Sequence, residues 1–288
     1  MKRLSPLVLG CLFATWVVWG STYLAIKFGL ESFPPFFQMG TRFLAAGALL
    51  LGWCALRGRP MPNAVQWRNA ALVGTLMLAG GMGGTAYAEL TVASGLVVAF
   101  IAVTPAMIAL ANLPFGIRPA ALEAVGIGVG LAGVLLLVQG SGFSAAPAGL
   151  AAVMISTVSW SIGSVLSQHK LPLAAGSPGF ASEMICGGIV LMGLSQLTGE
   201  TVQWPPRPLA VAAWAYLVTF GSLIAFSAYM VLLARASAAL ATSYSFVNPV
   251  IGMLLGIVFA GETVTGHEWL AVGIIVAGVV MLVLGRRQ

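Results

Sequence analysis

Aromatic and polar residues recur at helical spacing inside several long apolar stretches of the chain. Residues three, four and seven positions apart lie on one face of a helix. Indole and phenol rings beside a few hydroxyl and amide groups suit an amphipathic solute with a ring or an aliphatic side chain. The alternative is that these groups only hydrogen-bond between helices. The residues expected around a shared cavity are Trp16, Trp19, Tyr23, Gly81, Gly84, Thr104, Ser156, Trp160, Ser164, Tyr244 and Asn248.

Three charged residues lie within the apolar stretches and are candidates for function, because charge is costly there. Arg42 is expected either to extend its guanidinium outward to water or to pair with Glu89. Glu183 lies close enough to the end of its stretch to reach water as well. Glu123 and Glu268 open predicted helices, where a carboxylate stabilises the helix N-terminus, and this structural role suffices for both.

The residue types needed for metal or acid–base chemistry are scattered. Cys11, Cys54 and Cys186 all lie in apolar runs and show no CxxC spacing. His169 and His267 fall on opposite sides of the predicted membrane, so a shared site is not indicated. We therefore expect no metal, no cofactor and no enzymatic activity. The net charge of +6 forms no patch, so nucleic-acid binding is not expected either.

The composition predicts an integral membrane protein. Of the 288 residues, 59% are hydrophobic and only 7% are charged, whereas a soluble domain has about 25% charged residues. The mean hydropathy is +1.01. A soluble protein of this size could not bury so much apolar surface. Continuous apolar runs of about 20 residues favour spanning helices over a β-barrel, whose strands would alternate.

Ten spans fit this chain, so the predicted fold is an all-α membrane protein with ten transmembrane helices and short loops. Proline and glycine mark most of the breaks. The first run is too long for a cleaved signal and is expected to remain as a span. The predicted spans are residues 6–28, 35–56, 69–90, 93–113, 121–140, 147–168, 178–197, 209–232, 238–260 and 267–285.

The basic residues give the chain an orientation. Cytoplasmic loops of membrane proteins carry an excess of lysine and arginine. If the N-terminus lies in the cytoplasm, the inner segments hold ten basic residues and the outer segments two. Both termini are therefore expected inside. The inner set is Lys2, Arg3, Arg57, Arg59, Arg68, Arg118, Lys170, Arg235, Arg286 and Arg287, and the outer set is Lys27 and Arg207.

The two halves of the sequence resemble each other in order, which predicts an internal repeat. Since each half has five spans, the second would enter the membrane with opposite polarity, a common plan of secondary transporters with the substrate site between the halves. We expect the first repeat at 1–142 and the second at 143–288. The matching positions include Trp19 with Trp160, Arg42 with Glu183, Ala86-Tyr87 with Ala228-Tyr229, Ala93-Ser94 with Ala236-Ser237, and Pro105 with Pro249.

Glycine and proline suggest where helices pack closely or bend. In the third span four glycines within five positions, from Gly80 to Gly84, predict a flexible or open segment beside the cavity. Glycines of the fifth span, from Gly126 to Gly133, predict close helix packing. Pro105 and Pro249 lie near the middle of spans four and nine, where proline kinks a helix, and they are candidate hinges.

Several of these residues resemble motifs of a known family. The chain resembles an EamA-type transporter of the drug/metabolite transporter superfamily, and within it bacterial inner-membrane exporters of the YedA/YddG kind, which are associated with amino acids and related metabolites. The resemblance implies ten helices in a 5+5 inverted repeat around a central cavity. The residues that carry it are Trp19–Ile26, Arg42-Phe43, Ser156 with Trp160-Ser161, Ser243–Val250 and Gly261-Glu262.

The resulting expectation is a secondary exporter of amino acids or related small metabolites that works by alternating access in the bacterial inner membrane. The alternative is an exporter of hydrophobic drugs or other metabolites; a channel and a membrane enzyme fit less well. The sequence has no GxxxxGK[ST] motif for ATP. No Asp or His lies at midplane depth, so passage down the substrate's own gradient is favoured. The expected partners are a small-molecule substrate and membrane lipid, and a monomer suffices to enclose the cavity.

Overall fold

The structure, a computed structural model, describes residues 4–92, 97, 100–139, 146–260 and 265–285, and this part of the chain is helical. The longer helices of these described residues are numbered α1 to α10. They are α1 (Pro6–Leu30), α2 (Pro35–Leu56), α3 (Ala64–Ala88), α4 (Thr104–Phe115), α5 (Ala121–Val138), α6 (Pro147–His169), α7 (Ser177–Leu197), α8 (Pro208–Arg235), α9 (Tyr244–Ala260) and α10 (Gly266–Gly285).

The long apolar helices confirm the membrane assignment. Seven stretches of the described chain are long and apolar enough to cross a bilayer, and three shorter apolar helices accompany them: Thr104–Phe115, Ala121–Leu137 and Trp269–Gly285. The predicted boundary between the two halves, at 142 and 143, lies outside the described residues, as do Ala93, Ser94, Gly261 and Glu262.

Local sequence explains where the helices begin. Proline is the first helical residue of α1, α2, α6 and α8, where its missing N–H is not needed. The α1 start is also capped by Ser5, whose hydroxyl accepts from the Val8 amide. The carboxylate of Glu200, beyond the end of α7, accepts the amides of Phe36 and Phe37 at 2.9 and 2.7 Å. These contacts connect the start of α2 to the loop between α7 and α8.

Two helices contain a segment with wider, π-helical turns. The first covers Thr75–Gly83 within α3, and the second covers Leu217–Phe226 within α8. The second segment begins 142 residues after the first, close to half the chain length. A π-turn displaces backbone carbonyls from their usual partners and is often found at functional sites. The glycine-rich part of the third span is therefore a wide helical segment, where the sequence predicted a flexible or open one.

Glycines allow two pairs of helices to approach closely, as predicted for the fifth span. Helix α5 packs against α10, and a methyl group added to Gly278 would lie 2.6 Å from the backbone nitrogen of Gly130. Helix α2 packs against α7 in the same way: a methyl at Gly188 would lie 3.0 Å from the Leu44 nitrogen. In both pairs, small residues bring backbone against backbone.

Spans four and nine are interrupted rather than simply kinked. Ala102 and Val103 form a turn, and α4 begins at Thr104, so Pro105 stands in the first turn of a helix. The expectation of a mid-helix kink is wrong there. Pro105 lies at the start of a helix, where its missing N–H displaces no hydrogen bond. Pro249 does lie inside a helix, α9, which follows a one-turn helix at Ala238–Ala241 and a short turn.

The α5–α10 contact gives a test of the packing. Changing Gly278 to alanine forces a methyl against the α5 backbone, and overpacking of this kind costs about 1–3 kcal/mol. We expect a lower melting temperature for purified Gly278→Ala, followed by tryptophan fluorescence. The control is Gly273→Ala on the same helix, where an added methyl meets nothing within 4 Å. Equal melting of the two variants would contradict the packing.

Candidate functional site

A small cavity of about 40 Å³ lies at the centre of the bundle. It is large enough for a few water molecules but not for an amino acid. Helices α1, α3, α6 and α9 and the start of α4 contribute to its wall. The lining residues are Trp19, Thr22, Tyr23, Ile26, Gly81, Met82, Thr85, Ile101, Thr104, Ser156, Thr157, Trp160 and Tyr244.

Seven of the sequence-predicted cavity residues meet at this wall, and four lie beside it. Those on the wall are Trp19, Tyr23, Gly81, Thr104, Ser156, Trp160 and Tyr244. Trp16, Ser164 and Asn248 lie one contact away and bond to neighbouring groups. Gly84 packs against α6, where a methyl would lie 3.1 Å from Ser156 Cβ.

Four aromatic rings from four helices form a cluster beside the cavity, which we call the aromatic layer: Trp19, Trp160, Tyr229 and Tyr244. The ring centroids of Trp19 and Tyr244 are 4.7 Å apart, and those of Trp160 and Tyr229 are 5.1 Å apart. Most pairs are edge-on or tilted, the arrangements that aromatic quadrupoles favour. All four rings are buried. The layer is therefore a packed plug.

Tyr229 links the layer and was missed as a site residue. Its hydroxyl accepts the Trp160 Nε1–H at 3.2 Å and shares a 2.9 Å hydrogen bond with Ser164. The repeat signal could have identified it, since the Ala228-Tyr229 pair matches Ala86-Tyr87 in the other half. The sequence does not reveal the contact of the Tyr229 ring with Trp160, because that contact depends on how α6 and α8 pack together.

The π-segments supply hydrogen-bond acceptors that hold the cavity wall. Ser156 donates to the Gly81 carbonyl at 2.6 Å and bonds Thr85 at 2.8 Å. Ser159, one turn along, donates to the Leu76 carbonyl at 2.7 Å. In the other π-segment, the Gly221 carbonyl accepts the Trp19 indole N–H at 3.2 Å. Carbonyls released by wide turns thus fix side chains of α1 and α6.

Polar contacts between α1 and the α9 region continue the network. Trp16 donates to the Ser243 hydroxyl at 2.9 Å, and Asn248 donates to the Tyr23 hydroxyl at 3.5 Å. The Asn248 amide oxygen, fully buried, accepts no hydrogen bond within the described chain. An unused acceptor next to Tyr23, which lines the cavity, is available to a solute donor.

A larger cavity of about 710 Å³, which we call the vestibule, lies where the α4–α5, α6–α7 and α8–α9 connections meet. Its wall includes Pro105, Phe180 and Met230 as its deeper residues. Among the described residues, none lines both the vestibule and the central cavity. Three rings of the aromatic layer line the central cavity, and the fourth, Tyr229, is next in sequence to Met230, which lines the vestibule. Polar lining groups are Asn112, Arg118, Glu123, Ser167, Gln168, His169, Arg235 and Ser237.

Several polar groups of the vestibule wall form hydrogen bonds with neighbouring residues of the protein. The His169 Nε2 lies 2.9 Å from Asn112 Oδ1, and its ring stacks on Phe115 with centroids 4.6 Å apart. Glu123 accepts the Ala120 amide at 3.0 Å, which confirms its helix-start role. Arg118 and Arg235 leave the wall with a surplus of positive charge.

Tertiary packing covers two of the intramembrane charges, so the expectation that their charged ends reach water is wrong. Arg42 is fully buried and donates from Nε to Ser222 at 2.7 Å, so it neither reaches water nor pairs with Glu89. Glu183 is fully buried too, and neither of its oxygens accepts a hydrogen bond in the described part of the chain. The Glu89 oxygens are buried without a partner among the same residues.

Comparison with known proteins finds similar chains, a solved structure of the same fold and a matching family. An inner membrane transporter of Escherichia coli strain K12, "Uncharacterized inner membrane transporter YedA", is 44% identical over 99% of this chain and 93% of its own. A "Probable amino-acid metabolite efflux pump" of Salmonella typhimurium is 24% identical over 94% of this chain and 93% of its own. One solved structure shares the fold, with a TM-score of 0.79 and 23% identity over 98% of both chains. The EamA-like transporter family matches residues 7–139 and again residues 147–284, so this chain is a membrane transporter that belongs to the EamA-like family.

Proposed function

We propose that the protein exports amino acids or related small metabolites across the bacterial inner membrane by alternating access. The observation that carries the proposal is the pair of cavities separated by the aromatic layer. A vestibule of about 710 Å³ lies at one end of the bundle, while the central cavity beside the aromatic rings has only about 40 Å³. A solute that crosses must displace Trp160, Tyr229 and their neighbours, so the layer acts as a gate.

The proposal includes a 5+5 inverted repeat with halves at 1–142 and 143–288. The two π-segments at matching places, Thr75–Gly83 and Leu217–Phe226, support it. So do the contacts: α1 packs on α9 as α6 packs on α4, and α2 and α7, equivalent helices, pack on each other. The family matches the chain once in each half. In transporters of this plan one unit rocks against the other around a fixed site.

The orientation of the vestibule follows from charge. Its wall and the adjoining connection carry Arg118, Lys170 and Arg235, and the positive-inside rule then puts it at the cytoplasmic face. With both termini inside, the vestibule is the entry for a cytoplasmic solute. The interruptions before α4 and α9, with Pro105 and Pro249 beside them, are the proposed hinges. Pro105 also lines the vestibule, and Pro249 follows Asn248 on α9.

The lining chemistry supports amino acids over purely hydrophobic drugs. The rings of Trp19, Trp160 and Tyr244 can bind an apolar side chain or hold an ammonium group by cation–π contact. Thr22, Ser156 and the free acceptor of Asn248 offer hydrogen bonds to polar groups. The similarity to an amino-acid metabolite efflux pump points the same way.

Flux measurements test the function. Purified protein in liposomes should give saturable, selective uptake from a panel of amino acids. Trp160→Ala and Asn248→Ala should lower that uptake roughly tenfold, the effect of losing about 1.4 kcal/mol of binding. Trp269→Ala is the matched control, since that indole is exposed on α10 and should leave uptake unchanged. If folded protein moves no amino acid, the function is wrong, and cationic dyes then test the drug alternative.

Labelling of single cysteines tests the orientation. In a variant with Cys11, Cys54 and Cys186 replaced by alanine, Ala175→Cys lies in the vestibule wall and Gln203→Cys in the connection at the other end. A membrane-impermeant maleimide added to intact cells should label Gln203→Cys and spare Ala175→Cys. Opening the cells should expose Ala175→Cys. The reverse pattern would invert the proposed topology.

A further inference from the structure

Glu183 is a buried carboxyl group that caps no helix and is not part of the aromatic layer. It lies on α7 in the membrane interior with 0% of its surface exposed. Within the described residues, neither Oε1 nor Oε2 accepts a hydrogen bond, and the ion pair found there joins Arg207 to Glu31 at the surface. Burial of a carboxylate without partners is expensive, so such a group is rare unless it has a task.

The elements packed against α7 offer no cation to Glu183. These elements are α2, α3 and α8. The guanidinium of Arg42, on α2, is instead bound to Ser222 and lies over the Phe43 ring. The titratable groups on α7 itself and on α8 include the Cys186 thiol and the Tyr229 phenol. The remaining charged or titratable groups on these elements are Cys54, Arg68, Tyr87, Tyr216 and Arg235.

A proton is the counter-charge that fits this site. A metal cation would need several oxygen ligands around it, and no group of three or more His, Cys, Asp or Glu side chains occurs in the described chain. A proton needs only the carboxylate. Its route is short, because Phe180, one helical turn before Glu183 on α7, lines the vestibule.

Glu183 is also connected to the gate. Helix α7, which carries Glu183, packs against α8, which carries Tyr229, and the Tyr229 hydroxyl bonds both Ser164 and the Trp160 indole. Trp160 lines the central cavity. A change of charge on Glu183 therefore acts on the phenol dipole and, through it, on a ring that a solute must displace.

We propose that Glu183 is a proton-binding site that couples opening of the aromatic layer to proton movement. The inference rests on the proposed function and replaces the sequence-based expectation of uncoupled passage. In the closed state described here the carboxyl carries a proton. When the gate opens to the vestibule, the O–H bond breaks, the proton leaves to cytoplasmic water, and the carboxylate remains in a hydrated site. A proton taken up from the other side restores the acid as the solute leaves, so one proton enters for each solute exported.

An infrared titration tests proton binding without any substrate. The acidic residues number only seven, so the carbonyl stretch of a protonated carboxylic acid can be followed. Glu89→Gln removes the other described carboxyl group that has no partner at either oxygen. In that background, protein in lipid should show one such band that disappears as pH rises and is missing when Glu183→Gln is added. Glu31→Gln, at an exposed ion pair, should retain it. Absence of the band from the Glu89→Gln protein, or its survival when Glu183→Gln is added, would overturn the proposal.

Gradient-driven flux tests coupling in the same liposomes. A gradient of one pH unit should drive roughly tenfold accumulation of a transported amino acid for 1:1 exchange. Glu183→Gln should lose this accumulation but keep exchange of labelled for unlabelled amino acid, and Glu183→Asp should retain part of it. Wild-type uptake that ignores the pH gradient, or accumulation in Glu183→Gln, would refute coupling. If no amino acid crosses, the proposed function fails while the infrared result still decides proton binding.

Discussion

Backbone polar groups inside a membrane must find partners within the protein, and this requirement organises the centre of the transporter. The π-segments of α3 and α8 release carbonyls at Leu76, Gly81 and Gly221. Hydroxyl and indole groups from α6 and α1 satisfy them. The same hydrogen bonds that keep the backbone stable in lipid therefore orient Trp19 and Ser156 at the cavity wall.

The small central cavity and the large vestibule follow from different kinds of packing. Ring-to-ring contacts fill the centre, where Trp19 and Tyr229 have centroids 5.2 Å apart. Close glycine contacts hold α2 against α7 and α5 against α10, so these pairs behave as stiff units. Around the vestibule, by contrast, helices end and the connections spread apart. With these helix pairs rigid, the rings of the aromatic layer can move apart without unfolding the helices around them.

The buried charges make the centre of the protein electrically asymmetric. Arg42 and Glu183 occupy matching positions in the two halves, on helices that pack against each other, yet they do not form an ion pair. Arg42 has a hydroxyl partner in Ser222, while the carboxyl of Glu183 has no donor in the described chain. The two side chains thus carry opposite charge and differ in their hydrogen-bond partners.

Composition and periodicity predicted the membrane class, the helical fold and most helix bounds, because bilayer thickness and backbone hydrogen bonding leave few alternatives. The family was predicted from its resembling motifs instead. Helical spacing also found Trp19, Trp160 and Tyr244, since a face of a helix can be read from one segment. It missed Tyr229, and it misplaced Arg42 and Glu183 near water. Whether a side chain reaches water, a ring or another helix depends on which helices pack beside it. These neighbours belong to segments that are far apart in the sequence. The aromatic layer, the vestibule and the burial of Glu183 without partners therefore follow only from the tertiary structure.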